Sequence, residues 1–495
     1  MKANVRRWAA VLGAIVAASV ADAADPESGP AFTDRAWRLE LYQVGDAKEE
    51  FITLHRVVEE PVWPENPGHQ LSPFELGRYA VKVIEIASNR LLFNRGFDSM
   101  FGEYKTTTPA IEGVRRVFEK TVRIPAPRRP VRVLIERRDI ANILHPLFTA
   151  EIDPADYHIV KESPAMGDRI LEIQTTGEPW RRVDFVFLSE GYAAEDADKF
   201  QADAARFTSY LFGLEPYKGA RDRFNVRAVF RPSPERSMDE PRQGSFKATV
   251  LDASFNAFDL DRYMLIEANH RMHRMAAQVP YDAIIVLVNS RRYGGGSIGF
   301  DYCVTTTDHS SSLQVFVHEL GHSFAGLADE YYASEVSYND FYPKGIEPLE
   351  PNITALLDPS NIKWKDLVSP GIALPTPYGK EEIEALQAER QKLRKALAER
   401  KAAAAKSRGG EGEDRAAEAE FQSKDKELSA RIDGIRKSFA GLEDKVGAFE
   451  GAGYASRGLY RPQMHCLMIS SPKNEFCRVC QKAIRDTIDF FAGSK

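Results

Sequence analysis

Apolar and polar positions alternate along the first part of the chain. Trp37, Leu39 and Leu41 are separated by polar neighbours, and Tyr79, Val81 and Val83, then Val131, Val133 and Ile135, repeat the pattern. A period of two predicts half-buried strands. Turn formers at 64–68, 88–89 and 125–127 separate the runs. Short strands with this punctuation predict a β-sandwich over residues 33 to about 150. No cluster of ligand-type side chains falls there, so this part is expected to pack or present rather than catalyse.

The pattern changes near residue 183. Residues 183–188 (VDFVFL), 224–230 and 283–288 (AIIVLV) are nearly continuous apolar runs, as in strands covered on both faces. Phe200, Ala204, Phe207 and Leu211 fall at helical spacing, and 259 to 278 predicts a further helix. Strands alternating with helices predict an α/β domain with a largely parallel sheet, covering 151–380 and resuming at 447–495. Between these two parts, residues 381–446 are rich in Glu, Lys, Ala, Arg and Leu. Ile383, Leu386, Leu393 and Leu397 keep heptad spacing, with Arg390 in one core slot. Phe421, Leu428, Ile432, Ile435, Phe439, Leu442 and Val446 do the same beyond a Gly-rich break at 407–412. This predicts an inserted antiparallel helical hairpin, with coiled-coil arms at about 381–406 and 414–446.

At 495 residues the chain exceeds one ordinary domain. Its formal net charge of -6 gives no global pull toward nucleic acid. The first residues change the picture more. Lys2, Arg6 and Arg7 precede an apolar stretch at 8–20 and the small-x-small triplet Ala21-Asp22-Ala23. This predicts a signal peptide over 1–23 and a secreted or periplasmic protein. No other stretch is apolar for long enough to span a bilayer, so no stable membrane insertion is expected once the signal is removed.

The chemistry concentrates at 318–331, HELGHSFAGLADEY. His318 and His322 stand four apart, so on a helix both imidazoles leave one face and can share one tetrahedral zinc. Glu319 lies beside the first ligand, placed to take a proton from the water that attacks a carbonyl. A surface helix with two solvated histidines would carry the same motif, but Leu313, Val315, Phe316 and Val317 mark the helix as buried. A third ligand is needed. Gly326 can end the helix in a left-handed turn, which makes Asp329, three residues on, the first candidate. Glu330 is the second, and His465 is a distant one.

Three other groupings lie outside this stretch. Residues 294–299 match G-x-G-x-x-G, but an extended stretch follows where a nucleotide site needs a helix. The expectation is no nucleotide, and a rim leading into an edge strand able to pair with an extended peptide. His270 and His273 share a helix face with no partner at ligand spacing and are expected at the surface. The four cysteines, Cys303, Cys466, Cys477 and Cys480, are expected to form disulfides after export. The favoured bond joins Cys466 to Cys477 or Cys480. A structural zinc held by Cys466, Cys477 and Cys480 with His465 is the alternative.

The 318–331 stretch resembles the bacterial immunoglobulin A metallopeptidase family. The blocks FLSEGY (187–192), YGGGSIG (293–299), FEGAGY (449–454), YRP (460–462) and the terminal CRVC agree with it. The resemblance covers most of 33–490 and leaves the hairpin as an insertion. It implies a secreted zinc endopeptidase with a metzincin-like active site. The spacing departs from the metzincin H-E-x-x-H-x-x-G-x-x-H: the glycine comes one residue later and Asp replaces the third His. Met468 is then expected as the hydrophobic floor beneath the metal, and Tyr460 or Tyr454 as a hydrogen-bond donor to the oxyanion. The function expected is Glu-assisted hydrolysis of peptide bonds in protein substrates, with one catalytic zinc; the hairpin is expected to be a docking arm or steric gate, with a solvated appendage as the alternative. A zinc-containing surface-binding protein without proteolytic activity and a zinc exopeptidase are the rival expectations.

Overall fold

The computed structural model describes residues 30–162, 167–332, 341–404, 411–469 and 474–493. The signal peptide expected at 1–23 and most of the Gly-rich break lie outside the described residues. Among the described residues, no helix is long and apolar enough to cross a membrane.

Two four-stranded sheets form the N-terminal part. One runs Arg116–Pro127, Phe32–Gly45, Glu50–Glu60 and Val160–Lys161. The other runs Leu91–Phe97, Tyr79–Glu85, Val131–Arg138 and Leu144–Ile152. Their alternating inward residues, among them Trp37, Leu39, Val81, Phe93, Val133 and Ile135, make one shared core. The period of two thus survives into a sandwich. The short strand Val160–Lys161 adds to the edge of the first sheet beside Glu50–Glu60, and the next sheet begins with the strand Arg169–Gln174.

The second part is built on a six-stranded sheet. Phe224–Phe230, Val183–Glu190, Ala283–Val288 and Tyr302–Thr306 are parallel neighbours. Arg169–Gln174 and Gly295–Ile298 close the two edges in antiparallel sense. The helices Ala197–Leu211, Ser312–Ala325 and Arg478–Ala492 bury Phe200, Phe207, Phe316, Leu320, Ile484 and Ile488 in one core with strand residues such as Phe185, Phe187 and Ile285. Two expectations change here. The edge strand is Gly295–Ile298 itself, because 302–306 lies inside the sheet, and Tyr263 and Met264 already meet its outer side. The helix expected at 259 to 278 is confined to Asn269–Ala276.

His270 and His273 are buried, not at the surface. The sandwich covers their helix. His270 Nε2 meets the Leu41 carbonyl at 2.9 Å, and His273 Nε2 meets Asp301 Oδ1 at 2.7 Å. Lys120 of the sandwich also reaches Asp301, at 2.7 Å, with both side chains 3% exposed. Partners from distant segments supply what the local sequence lacks, so the two parts share a buried polar seam rather than a loose linker.

The inserted segment forms two helices, Lys380–Ala404 and Glu411–Ser438. They run in opposite directions. Lys401 pairs with Glu418, Arg390 with Asp425 through two bonds of 2.9 Å, and Ile383 and Leu386 pack with Leu428 and Ile432. The second helix stops at Ser438, earlier than the heptad reading, and Val446 belongs to the core of the α/β part.

Candidate metal centre

The helix Ser312–Ala325 lies directly beneath the edge strand Gly295–Ile298. A Cβ at Gly295 would stand 2.4 Å from Val315 Cγ1, so glycine lets the strand rest on the helix. The contact brings Ser297 Oγ to within 2.7 Å of Glu319 Oε2 and orients the carboxylate. The glycine at this position therefore has a packing purpose. The helix ends where Gly326 adopts φ +60°, a conformation in which a side chain is strained. The chain turns back and carries Asp329 over the two histidines.

The donor atoms converge. His318 Nε2 and His322 Nε2 lie 3.2 Å apart, and Asp329 Oδ1 stands 3.0 and 3.4 Å from them. The other ring nitrogens meet backbone carbonyls, His318 Nδ1 that of Leu467 at 2.9 Å and His322 Nδ1 that of Leu327 at 2.5 Å. A carbonyl accepts only, so each Nδ1 carries a proton and a neutral ring presents its Nε2 lone pair. Two lone pairs and a carboxylate oxygen then face one point, an arrangement that a cation satisfies. Asp329 Oδ1 is buried and faces the two imidazoles, while its Oδ2 accepts a hydrogen bond from the Tyr454 hydroxyl at 2.5 Å. Charge couples the same three groups. Burial alone would lower His318, but Asp329 raises it to about 9, and His322 is raised for the same reason. Burial would push Asp329 up, yet the facing imidazoles hold it far below the usual carboxylate range.

The remaining candidates sort by position. Met468 is fully buried, and a Cβ at Gly321 would approach its sulfur to 3.0 Å, so it lies against the ligand helix. Glu330 turns away from the histidines toward Cys466, Cys477 and Cys480. His465 is in neither metal-type grouping among the described residues. Tyr460 does not line the cleft. It sits on the strand Ala455–Arg461, backbone-paired to Thr354, while Tyr454 has the position by the ligands. The expected disulfides are not formed. All four cysteines are free and buried, and Cys303 stands apart within the central sheet.

Sequence reasoning missed three contributors. Tyr331 stacks parallel to His318 at 6.5 Å between centroids. Asn352 grips the ligand loop, accepting from Ala328 N at 2.7 Å and donating to Ala328 O at 2.8 Å. The sandwich itself forms a wall of the cleft, through Arg78, Asp98, Lys105 and Arg138. Tyr331 was visible in the motif, but Asn352 and the wall residues carry no local signal. The cleft encloses about 1530 Å³.

A family model described as IgA Peptidase M64 matches residues 171–488, and one described as Peptidase M64 N-terminus matches 29–149. The chain belongs to the IgA peptidase M64 family. It is thereby a metallopeptidase, a hydrolase whose substrates are proteins or peptides. The two family models divide the chain as the fold does, with the N-terminal M64 domain corresponding to the sandwich and the catalytic M64 domain to the α/β part. No curated protein gives a significant sequence match.

Proposed function

We propose that this M64 peptidase is an exported zinc endopeptidase with a metzincin-like centre. The observation that carries the reading is the convergence of His318 Nε2, His322 Nε2 and Asp329 Oδ1 beside a Glu319 held by Ser297. Two imidazoles and one carboxylate suit zinc and leave a coordination position for substrate or water. When bound, zinc supplies Lewis-acid polarisation of the scissile carbonyl and acidification of water. The chain's own residues do the rest. Glu319 accepts the proton of the attacking water and returns it to the leaving amine. Tyr454 and Asn352 hold the Asp329 loop in register. Tyr331 packs along His318 and lines the cleft. Met468 packs against the same helix at Gly321.

Export rests on the Lys2, Arg6, Arg7 and 8–20 pattern. The test uses two peptide sets on the purified protein, internally quenched peptides with both ends blocked and the same peptides with free ends. Cleavage of the end-blocked set at internal bonds is expected. Hydrolysis confined to free termini would favour the exopeptidase, and no hydrolysis of any library peptide would favour the binding protein.

The helix pair is proposed as a docking arm. Gln387 of its first helix lines the cleft, and Lys380 at its base bonds Glu384 at 2.7 Å and approaches Glu450 at 3.7 Å. The pair buries its own small core, so a chain in which 381–438 is replaced with a short Gly/Ser linker is expected to keep its fold, Val446 staying in the main core. Short peptides should be cut at the wild-type rate and protein substrates at least about threefold more slowly, a loss of roughly 0.7 kcal/mol in transition-state binding. Equal rates on a panel of proteins would remove the docking role.

A further inference from the structure

A second grouping of metal-type donors lies behind the catalytic one. Cys466, Cys477, Cys480 and Glu330 place one donor atom each within 4.8 Å of all the others. Cys466 Sγ and Cys480 Sγ are 3.7 Å apart, Cys477 Sγ and Glu330 Oε1 3.7 Å, and Cys480 Sγ and Glu330 Oε1 3.1 Å. Two sulfurs bound to one tetrahedral zinc at about 2.3 Å are separated by about 3.8 Å, whereas a disulfide requires about 2.05 Å. The sulfur separation matches the edge of a tetrahedron.

The surroundings are built for anionic sulfur. The Cys477 N–H donates to Cys466 Sγ at 3.3 Å, and the Cys480 N–H donates to Cys477 Sγ at 3.4 Å. Cys477 caps the helix Arg478–Ala492 and Cys480 sits in its first turn, where helix N–H groups favour negative charge. Glu330 is fully buried. Its Oε1 accepts from Asn352 at 3.0 Å, and its Oε2 has no hydrogen-bond partner. A buried carboxylate aimed at three cysteines is costly unless a cation joins them. Any one disulfide would leave the third sulfur and the carboxylate uncompensated.

We propose that Glu330, Cys466, Cys477 and Cys480 bind a second, structural zinc. Every ligand is at most 4% exposed, so the site is closed and has no open position for substrate. Glu330 takes the place that the sequence reading gave to His465. The ion ties three separate segments together, and two of them carry the catalytic floor. Glu330 follows Asp329, and Cys466 precedes Leu467, whose carbonyl receives His318 Nδ1. The Glu330 N–H also donates to the Met468 carbonyl at 2.9 Å. The inference does not depend on the peptidase reading.

The test measures zinc per chain in the full protein purified without chelators. It is compared with the double variants His318→Ala/His322→Ala and Cys477→Ser/Cys480→Ser. Two zinc ions are expected in the wild type and one in each variant. In the histidine variant, the remaining zinc should leave only as three thiols are titrated with a mercurial. Co(II) substituted there should show thiolate-to-metal charge-transfer absorption. If the cysteine variant does not fold, the histidine variant decides alone. A histidine variant without zinc overturns the proposal, as do cysteines that react only after chemical reduction. The catalytic reading fails on a different result, namely undiminished hydrolysis by the histidine variant.

Discussion

Glu319→Gln is expected to keep its metal and lose about a hundredfold or more in kcat, roughly 2.7 kcal/mol of transition-state stabilisation. The amide preserves shape and can still meet Ser297 Oγ, which stands 2.7 Å from Glu319 Oε2. It cannot accept a proton. The ligands His318 and His322 are untouched, since their second nitrogens are fixed by Leu467 and Leu327 rather than by Glu319. The decisive comparison is kcat on an internally quenched peptide beside zinc content. Turnover close to wild type with full zinc would remove Glu319 as the proton acceptor, though not the metal site.

Asp329→Ala should have the other large effect, through the metal. It removes one of the three proposed ligands and the only negative charge among them, so affinity should fall by more than the ~10–100-fold typical of losing a supporting contact. Activity at limiting zinc should be lost with it. The pH dependence adds a second signature. Asp329 keeps His318 protonated up to about 9, and a metal must displace that proton. Wild-type zinc affinity should therefore climb as pH rises toward 9. Without Asp329, burial lowers His318 again, and the climb should end near or below the ordinary histidine value of about 6.5. Competition with a chelator across pH measures both. An unchanged affinity and slope would show that the third ligand lies elsewhere.

The motif residues and the broad architecture were legible because their signals are local. An i, i+4 pair of histidines and a period-two strand pattern depend only on neighbours in the chain. The turn that brings Asp329 and Glu330 back past the helix was legible because Gly326 ends the helix in a left-handed conformation. The errors came where distant segments meet. His270 and His273 read as surface residues because Leu41 and Asp301, which bury and pair them, are far away in sequence. Glu330 and Asp329 are adjacent, and nothing local tells which faces the histidines and which the cysteines. The packing of Met468 and Cys466 behind the helix separates them. The heptad count ran past Ser438 because Val446 is apolar for another reason, its place in the main core. The glycines at 294–296 resembled a phosphate loop because close backbone approach demands the same residue in both settings.

The support of His318 by Leu467 also bears on biosynthesis. A chain is made from its N-terminus, so His318, Glu319, His322 and Asp329 emerge before the helix pair, and the helix pair before Leu467, Met468 and the terminal helix. Until those last segments dock, His318 Nδ1 lacks its carbonyl, the ligand helix lacks its floor, and Glu330 lacks the cysteines it faces. The candidate metal centre is therefore completed only by segments that are synthesised after its motif. A chain cut before Leu467 holds the whole HELGH motif without the carbonyl and the packing that orient it.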